Sequence, residues 1–242
     1  MATTQTGGNP PVEKIFNVHS AENGVKADPS KKLRILCLHG FRTSGNILAQ
    51  QVQLANWAPI IDDIAELVFM DAPWPAQGKS DVENRFDGPY YEWYQFSADF
   101  TEATGLDEAA SHFTDFIALH GPFDGLMGFS QGGILAAAWI GLSEKGLGPT
   151  MPNINFAIVV GGGRARAQVL EPAYKGTINC PSIHFVGEKD FMKASGESLA
   201  QEFTDPVLLS HPFAHVVPRL GANDTQIFRD FLLKQQQAKL SS

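Results

Sequence analysis

From residue 33 onward the chain alternates two hydrophobic patterns. Short unbroken apolar runs recur: Arg34-Ile35-Leu36-Cys37-Leu38 before His39-Gly40, Leu67-Val68-Phe69-Met70 before Asp71-Ala72-Pro73, and Gly125-Leu126-Met127-Gly128. Phe156-Ala157-Ile158-Val159-Val160 before three glycines, Ser182-Ile183-His184-Phe185-Val186 and Pro206-Val207-Leu208-Leu209 continue the series. Runs of this length, closed by Gly or Pro, predict strands buried on both faces of a parallel sheet. Between them, apolar residues return every three to four positions. Leu48, Val52 and Ala55 share one helical face until Pro59 breaks it, Ala110, Phe113 and Ile117 share another until Gly121-Pro122, and residues 134–142 are Ala-rich. Ile227, Phe228, Phe231 and Leu232 predict a C-terminal amphipathic helix. Strands joined through helices need crossovers, so the pattern predicts an α/β fold: a mostly parallel central sheet with helices on both faces.

Two stretches break the alternation. Residues 1–32 mix Gly, Pro, Asn and Ser without periodicity and are expected to form a flexible arm preceding one domain over residues 33–242. Residues 76–105 are acidic and turn-rich, with Phe86, Tyr90, Tyr91, Trp93, Tyr94, Phe96 and Phe100 close together. They are expected to form a short lid-like excursion over the sheet.

Composition narrows the function classes. Eighteen Lys and Arg stand against 26 Asp and Glu, a net charge of −8 with no basic run, which argues against a nucleic-acid partner. No stretch approaches the ~20 unbroken apolar residues of a membrane span. The first residues carry neither the charged nor the apolar region of a secretory signal. Two cysteines, Cys37 and Cys180, cannot build a disulfide framework or a multi-ligand zinc site, so no metal is expected, and a reducing, cytoplasmic setting is.

The chemistry is sought at the carboxyl ends of the strands. Gly128-Phe129-Ser130-Gln131-Gly132 is a G-x-S-x-G between a strand and a helix. A nucleophile elbow holds its serine on a tight strained turn with no room for side chains two positions before and after, the places of Gly128 and Gly132. A serine hydroxyl needs a base, itself held by a carboxylate, and in this architecture the order is Ser, acid, His. Of the three histidines beyond Ser130, His184 lies within a strand and His211 closes one, where a structural ring bonded to loop backbone is the better reading. His215, in the loop beyond, is the expected base. Among the carboxylates between, Glu188 and Asp190 follow a strand directly. Asp190 is the expected acid, Glu188 pointing away toward Lys189, while Asp205 marks a turn. The oxyanion donors are expected to be the backbone N–H groups of Gln131 and Phe41, the latter in the loop after the first strand. Arg42, Thr43 and Ser44 read equally as substrate contacts or helix caps.

With these residues in place, the sequence resembles the FSH-type serine hydrolases of the α/β-hydrolase superfamily over about residues 32–235. His39-Gly40-Phe41, Gly128-Phe129-Ser130-Gln131-Gly132-Gly133, Gly187-Glu188-Lys189-Asp190 and the segment from His211 to Pro218 carry the likeness, with Leu36-Cys37-Leu38 and Asp71-Ala72-Pro73. The resemblance implies a cofactor-free esterase or thioesterase with Ser130 as nucleophile, Asp190 as acid and His215 as base. One departure is that Ala214, not Gly, precedes the base. The aromatic excursion points to an ester or thioester substrate with an apolar acyl group, with Arg42, Tyr91, Trp93, Phe129 and Phe213 as expected contacts. The acidic charge disfavours anionic substrates unless Arg42 or Arg85 offsets it locally. The same fold also serves receptors or slow hydrolases whose output is a partner interaction.

Overall fold

A computed structural model describes residues 32–241, so the arm expected at 1–32 lies, all but its last residue, outside the described residues. The first strand, β1 (Leu33–Leu38), leads through α1 (Gly45–Leu54) and the single turn α2 (Ala58–Ile61) to β2 (Ala65–Met70). Ser44 caps α1 by accepting the Ile47 N–H at 3.2 Å, and Pro59 sits in the first turn of α2, where its missing N–H costs nothing.

The excursion then carries four two-residue strands that hydropathy did not reveal: β3 (Trp74–Pro75) pairs with β4 (Tyr91–Glu92), and β5 (Gln95–Phe96) with β6 (Ala103–Thr104), both antiparallel. Helix α3 (Leu106–His120) ends at Gly121. Strand β7 (Gly125–Phe129) runs into α4 (Gln131–Ser143), which starts three residues earlier than the Ala-rich pattern indicated. The remaining elements are β8 (Phe156–Val160), a 3-10 helix (Gln168–Tyr174), β9 (Ser182–Gly187), α5 (Lys193–Ala200), β10 (Val207–His211) and α6 (Ala222–Ser241).

Six strands form one wholly parallel sheet in the order β10-β9-β8-β7-β1-β2. The order in which the chain lays down its strands reverses between β1 and β7: the chain moves outward from β1 to β2, then returns to β7 and proceeds the other way. That reversal opens a crevice at the carboxyl ends of β1 and β7, where open α/β sheets bind ligands. The segments that leave these two ends are His39-Gly40-Phe41 and Phe129-Ser130-Gln131.

The period-two geometry of a strand sends alternate side chains to opposite layers. On β1, Leu36 and Leu38 join a core with Phe113 of α3 and Leu135 of α4, while Leu33, Ile35 and Cys37 join a core with Val52 of α1 and Phe228 of α6. Eleven of the thirteen α4 residues are buried, so this helix is apolar all round rather than striped. Its Gly and Ala residues let it lie close against the sheet. Among the described residues no helix is long and apolar enough to cross a membrane.

Candidate active site

Ser130 sits between β7 and α4 with φ +55° and ψ −118°, a conformation costly for a residue with a Cβ. Packing holds it there. Its N–H donates to Val160 O at 3.0 Å, and the neighbouring glycines leave no alternative path. A Cβ on Gly128 would stand 2.2 Å from Gly132 O, and one on Gly132 would stand 2.2 Å from Leu38 O. The turn therefore closes against itself and against β1 only with hydrogen at both positions.

The geometry brings together the three side chains expected from chain order. Ser130 Oγ lies 2.8 Å from His215 Nε2, and His215 Nδ1 lies 2.8 Å from Asp190 Oδ2. A carboxylate beside Nδ1 places the ring proton there, leaving Nε2 to accept from the serine hydroxyl. Asp190 is buried after β9, and its second oxygen accepts the Met192 N–H at 2.7 Å, so its orientation is fixed from both sides. Phe129 and Phe191 pack on the His215 ring at 5.1 and 4.7 Å. Two glycines at the ends of β8 and β9 make room for these hydrogen-bonded side chains. A Cβ on Gly161 would fall 3.1 Å from His215 Cε1, and one on Gly187 would fall 2.6 Å from the carbonyls of Phe213 and Ala214. The base loop reaches inward because Gly187 lets it pass, so Ala214 needs no exceptional backbone.

His211 differs from expectation in one respect. It is buried and faces Phe213, but its Nδ1 has no hydrogen-bond partner, rather than bonding the loop backbone. Burial lowers its pKa.

As the first residue of α4, Gln131 has a backbone N–H without an intrahelical acceptor, at the positive end of the helix, and the residue lines the cavity around Ser130. The other expected donor, Phe41, follows a loop anchored by His39. The ring Nδ1–H of His39 donates to Gly40 O at 2.8 Å, and its Nε2 accepts the Ala72 N–H at 2.9 Å. Burial lowers the His39 pKa to about 4, so the ring stays neutral and this tautomer persists.

Around Ser130 lies a cavity of about 1050 Å³. Of the five residues read as substrate contacts, Phe129 and Phe213 line it, together with Phe41 of the candidate oxyanion loop. Arg42, Tyr91 and Trp93 do not. Trp93 is fully buried, its indole N–H donating to His39 O at 2.8 Å and its ring meeting Trp139 edge-on. Tyr91 donates its backbone N–H to Thr43 O at 2.6 Å. Arg42 turns inward to the buried Glu92, 3.2 Å from its Nε. The rings that do reach the cavity are Phe86, Tyr94, Phe96 and Phe100. Phe96 stands at the centre of this wall, with Phe41 and Phe100 both at 4.9 Å. The lining also includes segments with no motif of their own, among them Leu54 of α1 and Ala165 and Ala167 after β8. Only tertiary folding brings these together.

Arg85, Arg166 and Arg219 stand exposed on the cavity rim, whereas Arg164 is neutralised by Glu171 and Glu202 at 2.9 and 2.6 Å. Among the described residues no three His, Cys, Asp or Glu side chains gather in a set able to hold a metal ion.

Comparison with known proteins follows the same line. The profile described as "Serine hydrolase (FSH1)" matches residues 29–227. "Esterase OVCA2" of Bos taurus is 33% identical over 220 residues, covering 83% of this chain and 95% of that protein. "Rhodanese-like domain-containing protein 6" of Arabidopsis thaliana is 32% identical over 234 residues, covering 84% of this chain, and the chain spans only 39% of that longer protein. The crystal structure of Zea mays acyl-protein thioesterase 2 superposes with a TM-score of 0.57 at 18% identity, covering 85% of this chain and 94% of that one, a likeness of fold.

Proposed function

The chain belongs to the FSH1 serine hydrolase family, and from that premise we propose that it cleaves a carboxylic ester or thioester with an apolar acyl group through an acyl-enzyme on Ser130. The observation that carries this reading is the continuous Ser130–His215–Asp190 hydrogen-bond chain, 2.8 Å at each link, on the floor of an aromatic-walled cavity. The esterase relatives support the same bond class.

The chemistry follows from the placement of protons. Ser130 Oγ attacks the acyl carbon as its proton passes to His215 Nε2, and Asp190 stabilises the resulting imidazolium. The carbonyl oxygen becomes an oxyanion facing the N–H groups of Phe41 and Gln131, each donor being worth ~10²–10³ in rate in such sites. Collapse expels the alcohol or thiol, protonated by His215. Water then attacks the acyl-enzyme with His215 again as base, releasing the acid and free Ser130.

Acyl selectivity is expected from Phe96, Phe100, Tyr94 and Ile134 along the cavity wall. Each methylene that leaves water is worth ~0.8 kcal/mol, up to about fourfold in kcat/KM. Rates across p-nitrophenyl esters of increasing chain length test this. A rise over several methylenes to a plateau is expected, and rates independent of chain length would refute the apolar cavity as the acyl site.

A further inference from the structure

The excursion, expected to be a lid, is tied at its base to both candidate oxyanion donors. Five bonds make the tie, and two more within the excursion hold Glu92 in place. Glu92 of β4 is wholly buried and faces the Arg42 Nε at 3.2 Å. Its other oxygen accepts the Gln77 N–H at 3.3 Å and is also bonded by the Gln95 side-chain amide. The Tyr91 N–H donates to Thr43 O at 2.6 Å, and the Trp93 indole donates to His39 O at 2.8 Å. The Gln131 side chain closes the set, accepting the Trp93 N–H at 3.1 Å and donating to Tyr94 O at 2.8 Å.

Arg42 follows Phe41 directly and has φ +53°, a left-handed conformation that is costly for an arginine without support. The backbone of residues 41–43 therefore keeps its shape only while something holds it. A buried carboxylate bonded to the guanidinium does so strongly, because a charge-assisted bond shielded from water is worth more than an exposed one. Arg42 is only a quarter exposed and Glu92 is sealed.

We propose that Glu92 is a positioning residue of the oxyanion hole: through Arg42 it fixes the loop that presents the Phe41 N–H to the developing oxyanion. This rests on the reading of Ser130 as nucleophile with Phe41 and Gln131 as donors. Residues 91–95 are then a brace for transition-state stabilisation, and only the outer part of the excursion is free to act as a cover. Glu92 itself does not touch the reacting atoms.

The test compares Glu92→Gln, Arg42→Ala and the double variant with the wild-type protein on a neutral p-nitrophenyl ester. An alkyl trifluoromethyl ketone, whose hemiketal oxygen would occupy the hole, and the non-covalent product carboxylate serve as two inhibitors. Glu92→Gln is expected to lower kcat about 10- to 100-fold, short of or equal to the loss of a whole donor, with KM changed less than about threefold. Its ketone inhibition constant is expected to rise by a similar factor while product inhibition stays unchanged. Arg42→Ala is expected to match it, and the double variant to be no worse than either single one, since both cut the same link. Equal weakening of the ketone and the product, or an unchanged kcat in Glu92→Gln, would overturn the positioning role. If Glu92→Gln fails to fold, Arg42→Ala alone carries the comparison, because its shortened side chain leaves the Glu92 bonds to Gln77 and Gln95 in place. An inactive wild-type protein would instead refute the reading of Ser130.

Discussion

Replacing Gly128 by Ala adds one methyl group two residues before Ser130. The new Cβ would stand 2.2 Å from Gly132 O, 2.4 Å from Gly132 C and 2.5 Å from Gly133 N. Ordinary contact begins at 3.4 Å, so the turn must open by about 1.2 Å, and all three neighbours are backbone with no rotamer to yield. Overpacking of this kind costs ~1–3 kcal/mol, and for a chain of this size each kcal/mol lowers Tm by ~2–4 °C. The larger effect falls on chemistry. Opening the turn carries Ser130 away from His215, and a 1 Å misplacement costs roughly 10² in rate. Thermal unfolding with ester hydrolysis is the assay, and Gly146→Ala is the control: Gly146 has φ +68° with nothing within 4 Å of its would-be Cβ. The control should lose ~1 kcal/mol of stability for its left-handed backbone and keep full activity. Wild-type Tm and rate in Gly128→Ala would refute the claim that close backbone approach sets the nucleophile.

Asp190→Asn should lower kcat by up to ~10⁴ with KM little changed, since an amide cannot hold the imidazolium; steady-state kinetics on any hydrolysed ester decides this. Phe96→Ala removes the ring between Phe41 and Phe100. It should move the preference toward longer acyl chains while costing short ones about fivefold in kcat/KM, for ~1 kcal/mol of ring contact, and an unmoved optimum would place the acyl chain elsewhere. Burial lowers the pKa of His39 and of His184 from 6.5 to about 4. Between those values the unfolded chain binds protons that the folded chain refuses, so stability falls as pH is lowered from about 6.5 toward 4, by on the order of 3 kcal/mol per ring. Denaturant unfolding of His184→Phe at both ends of that window should show a smaller drop than the wild-type protein, and an equal drop would contradict the assignment.

The sheet and the candidate triad are readable from the chain because both depend on local signals. Buried parallel strands are continuous apolar runs, and glycine flanking Ser130 reports a turn that excludes side chains. Asp190 and His215 could be selected because strand ends face the crevice. Substrate contacts were not readable in this way. Tyr91, Trp93 and Arg42 belong to an aromatic and charged stretch whose composition suits a cavity wall, yet their partners are His39, Thr43 and Glu92, brought near by a fold that no short window contains. The two-residue strands of the excursion leave no signal in the sequence because a pair of residues has no periodicity. Gly161 does carry a legible signal: a glycine triplet at the carboxyl end of a central strand marks the place where His215 and Asp190 pass close to backbone.

The central claim is that Ser130 carries the acyl group during turnover. Mixing the protein with a slowly deacylated p-nitrophenyl ester, quenching in acid and mapping the peptides by mass spectrometry tests it directly. One acyl adduct on Ser130, absent from Ser130→Ala, is the expected result. An adduct on another residue, or hydrolysis retained at the wild-type rate in Ser130→Ala, would contradict it.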